Sequence, residues 1–210
     1  MKYILCIIIG YLIGTINPSY IIAKLRGFDI REKGSGNAGA SNALILLGKA
    51  IGVGCALLDI AKATFSIWLC ETLFPELDYV FAITGMACIL GHIFPFYMNF
   101  KGGKGLACLG GMILAFDWRV FLVMLAAEIV VAIVTDYICF VPLTASAVFP
   151  FVYGIMRRDV LGALIMALIL PLMLYKHKEN LKRIKQKTEM PFSFLWNKDK
   201  ALAKTNIPKE

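Results

Sequence analysis

The chain has 210 residues, of which 59% are hydrophobic and 17% charged, with a mean hydropathy of +0.73 and a formal net charge of +8. That balance excludes an ordinary water-soluble domain and marks a polytopic membrane protein. Most of the positive charge lies at the ends of apolar runs, where it suits topology and anionic headgroups, so nucleic acid is not expected as a partner.

The first apolar run, residues 3–25, follows one lysine and lacks a cleavage pattern of small residues. It reads as a retained span and not a signal peptide. A glycine-rich loop follows, GSGNAGASN at 34–42, and then a second span, 48–74, which carries Asp59 and Lys62. The third span, 77–98, leads into a second glycine-rich and basic loop, GHIFPFYMNFKGGKG at 91–105. Beyond it lie runs at 105–116, 120–135, 137–156 and 160–175. The run at 105–116 is shorter than the roughly 17–25 residues a spanning helix needs, so it must be tilted, re-entrant or half-buried in protein. The expected fold is all-α, a polytopic membrane protein of about seven transmembrane helices, with six as the alternative count.

Seven crossings sort the charges by side. One side receives Lys24, Arg26, Arg31, Lys33, Lys101, Lys104 and the basic run 176–187. The other receives the acidic turn with Glu76 and Asp78, then Arg119, Arg157 and Arg158. The positive-inside rule then places the N-terminus outside and the C-terminus in the cytoplasm. Both glycine loops face the cytoplasm in that arrangement, beside the basic segment that follows the last span.

Glycine strings with Ser, Asn and Lys let successive backbone N–H groups converge on an anion. In the first loop, Gly34, Gly36 and Gly39 with Ser35, Asn37, Ser41 and Asn42 fit such a cradle; they also fit an ordinary helix–helix turn capped by Ser41 or Asn42. In the second, Lys101, Gly102, Gly103 and Lys104 precede an apolar helix, so a phosphate would meet free N–H groups, a positive helix end and an ammonium together. A flexible hinge carrying topology-setting lysines is the competing reading. Neither string has the P-loop spacing G-x-x-x-x-G-K-[ST]. The two histidines are His92, at the end of a span, and His177 in KHKENLKR, where Asn180 and Arg183 follow on a polar stripe. Asp59 and Lys62 are three apart and therefore share one helix face, a pairing expected to be buried in the bundle. Cys6, Cys55, Cys70, Cys88, Cys108 and Cys139 form no C-x-x-C pair and read as small core residues, not as disulfides or metal ligands.

The segments IREKGSGNAGASN, GHIFPFYMNFKGGKG and KHKENLKRIKQKTE, in this order and spacing, together with LLDIAK around Asp59 and Lys62, resemble the signature segments of the bacterial acyl-phosphate:glycerol-3-phosphate acyltransferases, the PlsY family. The resemblance covers residues 1–189 as one integral membrane acyltransferase domain and leaves 190–210 as a polar cytoplasmic tail. It implies a multi-pass protein of the bacterial inner membrane with its active site on the cytoplasmic side. It further implies transfer of an acyl group from acyl phosphate to the 1-hydroxyl of glycerol 3-phosphate, giving lysophosphatidic acid, by a monomer surrounded by membrane lipids and using neither coenzyme A nor any cofactor or metal. By matching positions, Ser35, Lys104, His177 and Asn180 would be catalytic. Gly34, Gly36, Asn37, Gly39, Asn42, His92, Lys101, Gly102 and Gly103 would bind phosphate or substrate.

The chain departs from the family pattern at several positions. Ser41 and Ile45 stand where threonine and arginine are usual, Asp136 where a second arginine is usual, Cys108 where threonine is common, and Lys187 where glycine is usual. Losing two basic positions near a doubly charged substrate removes charge-assisted hydrogen bonds worth roughly 1.5–3 kcal/mol each. Two other classes therefore stay open: a relative acting on another phosphorylated acceptor or binding without turnover, and a transporter of a phosphorylated solute. The two halves of the chain carry no internal repeat of the kind transporters use.

Overall fold

A computed structural model describes residues 1–197 and residue 205 of the chain. Ten α-helices make up these residues, with no strand among them: α1 Lys2–Thr15, α2 Pro18–Leu25, α3 Ala40–Leu46, α4 Lys49–Leu73, α5 Val80–Ile93, α6 Leu106–Phe116, α7 Trp118–Thr135, α8 Phe140–Arg157, α9 Val160–Ala167 and α10 Ile169–Lys185. Six stretches are long and apolar enough to cross a membrane: Lys2–Leu25, Lys49–Leu73, Val80–Met98, Trp118–Thr135, Phe140–Arg157 and Val160–Lys185.

Two of those six stretches join a pair of α-helices across a break, for reasons written in the sequence. Between α1 and α2 the chain leaves helical geometry at Ile16–Asn17 because Pro18 opens the next helix, and Asn17 caps it by accepting the Tyr20 N–H at 2.9 Å. Between α9 and α10 the break falls at Leu168, since Pro171 in the first turn of α10 has no N–H and its ring would meet the carbonyl four residues back. The seventh apolar helix, α6, has 11 residues and rises about 16 Å, too little to span alone. It is sunk into the protein: Cys108, Leu109, Met112, Ile113 and Phe116 are buried, and Thr64 of α4 donates to the Gly111 carbonyl at 2.8 Å. The extended, largely buried stretch before it carries the chain inward to α6, and the stretches able to cross a membrane number six among the described residues, the alternative to the seven expected.

Close helix crossings rest on glycine. At Gly14 a β-carbon would stand 2.2 Å from the Cys88 carbonyl oxygen, and at Gly91 2.2 Å from that of Tyr11, so α1 and α5 pack backbone against backbone. The main core joins α4 through α10, with Phe81 stacked on Tyr153 at 5.3 Å and Phe116 and Phe149 against them. The outward faces stay apolar, as on α7, where Val123, Val130 and Val134 are exposed to the space that lipid tails fill. All six cysteines are buried free thiols.

The two ends of the bundle differ in content. At one end Lys2 pairs with Glu76, and a cavity of about 540 Å³ lies among Glu71, Asp78, Tyr153, Arg157, Arg158 and Asp159. The other end gathers both glycine loops and the polar end of α10. The start of α1 and the end of α10 therefore lie at opposite ends.

The segment after α10 turns back. Thr188 N–H bonds to the Arg183 carbonyl at 2.8 Å and Lys187 N–H to that of Ile184 at 3.0 Å, the paired bonds of a Schellman C-cap with Lys187 left-handed at φ 57°. This accounts for the departure at 187: the position wants glycine. Lys187→Gly is expected to stabilise the protein by about 0.5–1 kcal/mol, the left-handed penalty less glycine's entropy. Thermal unfolding in detergent checks this, and a lower midpoint would contradict it. The terminal segment continues through a turn at Phe192–Leu195 against the α7–α8 connection. Most of the proposed 190–210 tail, residues 198–204 and 206–210, lies outside the described residues.

Candidate active site

The first loop is tied down before it can bind anything. The Asn42 side chain accepts the Ser35 N–H at 2.9 Å and donates to the carbonyls of Ile30 and Lys33 at 2.8 and 3.1 Å. Gly34, at φ 60°, packs so closely on this amide that a β-carbon would fall 2.3 Å from its Oδ1. Asn42 was expected to bind phosphate; instead it is buried with its hydrogen-bonding capacity spent on holding the loop. Asn17, from the α1–α2 break, donates to the Ala38 carbonyl at 2.9 Å and fixes the loop from beneath. The amides of residues 37–41 donate to no acceptor among the described residues, which leaves an edge of open N–H groups at the start of α3. Gly36 and Asn37 lie on that edge and Gly39 is buried beneath it, while Ser35 is exposed at the rim.

The second loop is built differently from the expectation. Gly102 N–H donates to the Ile93 carbonyl at 3.0 Å and Gly103 N–H to the His92 carbonyl at 3.1 Å, so neither amide is free for phosphate. Both glycines serve close packing: a β-carbon would stand 2.1 Å from His92 O at Gly102 and 2.0 Å from His92 Nε2 at Gly103. His92 is likewise a correction. Its ring is buried in an ionic network with Nδ1 3.3 Å from Asp59 Oδ1 and 3.0 Å from Lys62 Nζ, and it does not reach the cavity. Lys62 pairs with Asp59 at 2.6 Å and also donates to the carbonyl of Ile16 at the α1–α2 break. Asp59, His92 and Cys108 come within 4.8 Å of one another, yet the Lys62 ammonium already occupies the place a cation would take.

Arg31 joins the loops. Its guanidinium donates to both Asp29 carboxylate oxygens, at 2.9 and 2.6 Å, and to the Met98 carbonyl at 2.6 Å. That hydrogen bonding holds the Asp29 carboxyl well below the usual carboxylate range, so the pair stays ionised. Between the loops lies a cavity of about 460 Å³ lined by Asp29, Arg31, Glu32, Gly36, Asn37, Asn99, Lys101, Gly102 and Lys176. Asp29 offsets Arg31, which leaves Lys101 and Lys176 facing Glu32 and a net positive opening.

Beside the cavity, two residues on from Gly102, the Lys104 ammonium donates to the side-chain oxygen of Asn180. Asn180 donates in turn to Glu189 at 2.5 Å, and Arg183 holds the other oxygen of that carboxylate. Burial pulls the Lys104 pKa below its ordinary value, and the Glu189 charge works against that. His177 is buried with Nδ1 2.9 Å from the Met173 carbonyl. A carbonyl only accepts, so in the neutral ring Nδ1 carries the hydrogen and Nε2 is left as acceptor.

Three segments distant in sequence thus meet at one end of the bundle. Of the expected site residues, Gly36, Asn37, Lys101 and Gly102 line the cavity, while Lys104, His177 and Asn180 cluster beside it. Sequence reasoning missed Arg31, Asn99, Lys176 and Glu189. Lys176 and Glu189 flank the His177 segment directly, and that adjacency was the available signal. The two basic positions thought lost are also accounted for. Ile45 is 64% exposed on α3 and does not line the cavity, and Asp136 faces the terminal segment through Ser193.

Residues 4–187 match the family described as glycerol-3-phosphate acyltransferase. The chain is 36% identical to glycerol-3-phosphate acyltransferase 1 of Oceanobacillus iheyensis, with 94% of this chain and 99% of that protein aligned. It is 38% identical to glycerol-3-phosphate acyltransferase 2 of Thermotoga maritima over 87% and 92%, and 34% identical to the Bacillus subtilis enzyme over 93% and 100%. Crystal structures of PlsY, an integral membrane glycerol 3-phosphate acyltransferase, superpose with TM-scores of 0.84 in the glycerol 3-phosphate form and 0.82 in the lysophosphatidic acid form. Each is 31% identical and covers 93% of this chain, with 98% and 97% of the respective crystallised chains aligned. The chain belongs to the glycerol-3-phosphate acyltransferase family.

Proposed function

We propose that the protein transfers an acyl group from acyl phosphate to the 1-hydroxyl of glycerol 3-phosphate, releasing inorganic phosphate and lysophosphatidic acid. The observation that carries this reading is the convergence of the first loop, the lysine-bearing second loop and the end of α10 on one basic cavity at a bundle end. Acyl phosphate is a mixed anhydride with a good leaving group, so the protein has only to place the hydroxyl and meet charge. The amides of residues 37–41 and the Lys101 and Lys176 ammonium groups suit the phosphates. Lys104, steadied by Asn180, suits the charge that gathers on the carbonyl oxygen and the leaving phosphate. The phosphate of a substrate can take the proton from the attacking hydroxyl, so the scheme needs no side-chain general base. This scheme requires neither coenzyme A nor a metal.

The lysine and arginine distribution supports an active site on the cytoplasmic side of the bacterial inner membrane, with the N-terminus outside. We take residues 1–189 as the acyltransferase unit, working as a monomer, and 190–210 as an appended segment. The donor assignment is tested by giving the purified protein labelled glycerol 3-phosphate with either acyl phosphate or acyl-coenzyme A. Lysophosphatidic acid and phosphate are expected in equal amounts from the first and no product from the second. Product from acyl-coenzyme A alone would overturn the donor.

A further inference from the structure

The connection between α7 and α8 holds a carboxylate that the acyl-transfer chemistry does not use. Asp136 closes α7 in a left-handed conformation, φ 60°, and both its oxygens turn to the terminal segment. Ser193 N–H donates to Oδ1 at 2.7 Å and Ser193 Oγ to Oδ2 at 2.9 Å, while the Asp136 carbonyl accepts the Phe192 N–H at 2.6 Å. One residue thus takes three bonds from two neighbours, 57 positions along the chain from Ser193. Pro191 is buried at the foot of this contact, and two residues before it stands Glu189.

Glu189 is the far end of the chain of bonds that reaches Lys104. It accepts from Asn180, whose side-chain oxygen in turn accepts from the Lys104 ammonium. We propose that Asp136 and Ser193 form a clasp on the segment after α10, and that the clasp is a positioning device for the reaction: it holds Glu189 against Asn180 and so fixes Lys104. Asp136 and Ser193 touch no reacting atom and act through Glu189. This inference rests on the acyl-transfer reading above. Arginine, the residue usual at 136, has no side-chain acceptor and could not receive the Ser193 N–H. The departure therefore belongs to a different device and is not simply a lost substrate contact.

Releasing the clasp frees the chain beyond the Lys187 cap, and Glu189 then leaves Asn180. Asn180 loses the partner that fixes its amide orientation, and Lys104 loses a negative neighbour. The charged and titratable groups around Lys104 are Glu189, Arg183, Cys139, Lys176 and His177, and Glu189 is the anion nearest to it through Asn180. Losing that anion makes the ammonium easier to deprotonate, so the alkaline limb of the kcat profile moves to lower pH.

The test variant is Asp136→Gly, since glycine keeps the left-handed turn while removing the carboxylate. We expect kcat to fall about tenfold, an unchanged KM for glycerol 3-phosphate, and an alkaline limb displaced to lower pH. Asp136→Asn, which still accepts the Ser193 N–H and tolerates the left-handed turn, should restore most of the rate. Ending the chain after Glu189 should reproduce the loss, and Asp136→Gly in that shortened chain should add nothing further. Wild-type rate and pH profile in Asp136→Gly, or losses that multiply when combined with truncation, would overturn the clasp. A wild type without any turnover sinks the acyl-transfer reading instead. The clasp is then read from trypsin cleavage after Lys187, slow in the wild type and fast in Asp136→Gly if the clasp exists, and equal in both if it does not.

Discussion

Lys104→Ala is expected to lower kcat by about 10²–10³-fold, the size seen when one preorganised donor to developing charge is removed. The lysine is partly buried, and Asn180 fixes where its ammonium points, so its charge is delivered without reorganisation at the moment of transfer. Alanine deletes the charge and leaves Asn180 with one partner fewer. KM for glycerol 3-phosphate should change less than kcat, because Lys101 and Lys176 remain in the cavity. Steady-state kinetics separate the two effects. The pH dependence carries a sign as well: burial depresses the Lys104 pKa, so the ammonium is lost, and activity with it, as pH rises through a value below the ordinary 10.5. A rate that holds steady to pH 10.5 would contradict this role.

The second large effect is expected at a residue with no functional group. Gly102→Ala should cut kcat/KM by at least about 10²-fold and lower stability by about 1–3 kcal/mol, the range for overpacking a filled site. The new β-carbon would stand 2.1 Å from the His92 carbonyl oxygen and 2.6 Å from Pro95 Cδ, and neither a backbone carbonyl nor a proline ring can swing aside. Relief requires moving the 101–104 segment, which carries Lys101 and Lys104 with it and breaks the Gly102–Ile93 hydrogen bond. Turnover and thermal midpoint measured on the same preparation check both parts. An active, wild-type-stable Gly102→Ala protein would show that the loop tolerates what the packing forbids.

These two residues illustrate what the amino-acid sequence discloses. The three polar segments and their meeting at one end were readable because apolar runs and charge placement constrain topology strongly, and Asp59 and Lys62 were readable as a pair because a helix puts i and i+3 on one face. The reasons behind particular residues were not readable. A glycine can serve a free amide, a left-handed φ or a close approach, and the letter is the same for all three. In Gly102 and Gly103 the close approach governs, and their amides are spent on the end of α5. His92 and Asn42 were expected to contact ligand because they match positions in the segments of the family the sequence resembles. Asn42 instead finds its partners in the folded loop itself, and His92 finds them on α4, 30 or more residues away. Asp136 looked like a missing arginine because its partner, Ser193, lies in a segment beyond the family pattern.

The central claim is that the two glycine loops and the end of α10 form one site for acyl transfer to glycerol 3-phosphate. It is tested most directly by the initial rate of lysophosphatidic acid formation by the purified protein in detergent, with acyl phosphate and glycerol 3-phosphate as sole substrates. The account predicts turnover by the wild type and its collapse in both Lys104→Ala and Gly102→Ala. No lysophosphatidic acid from a folded wild type, or equal rates in all three proteins, would contradict it.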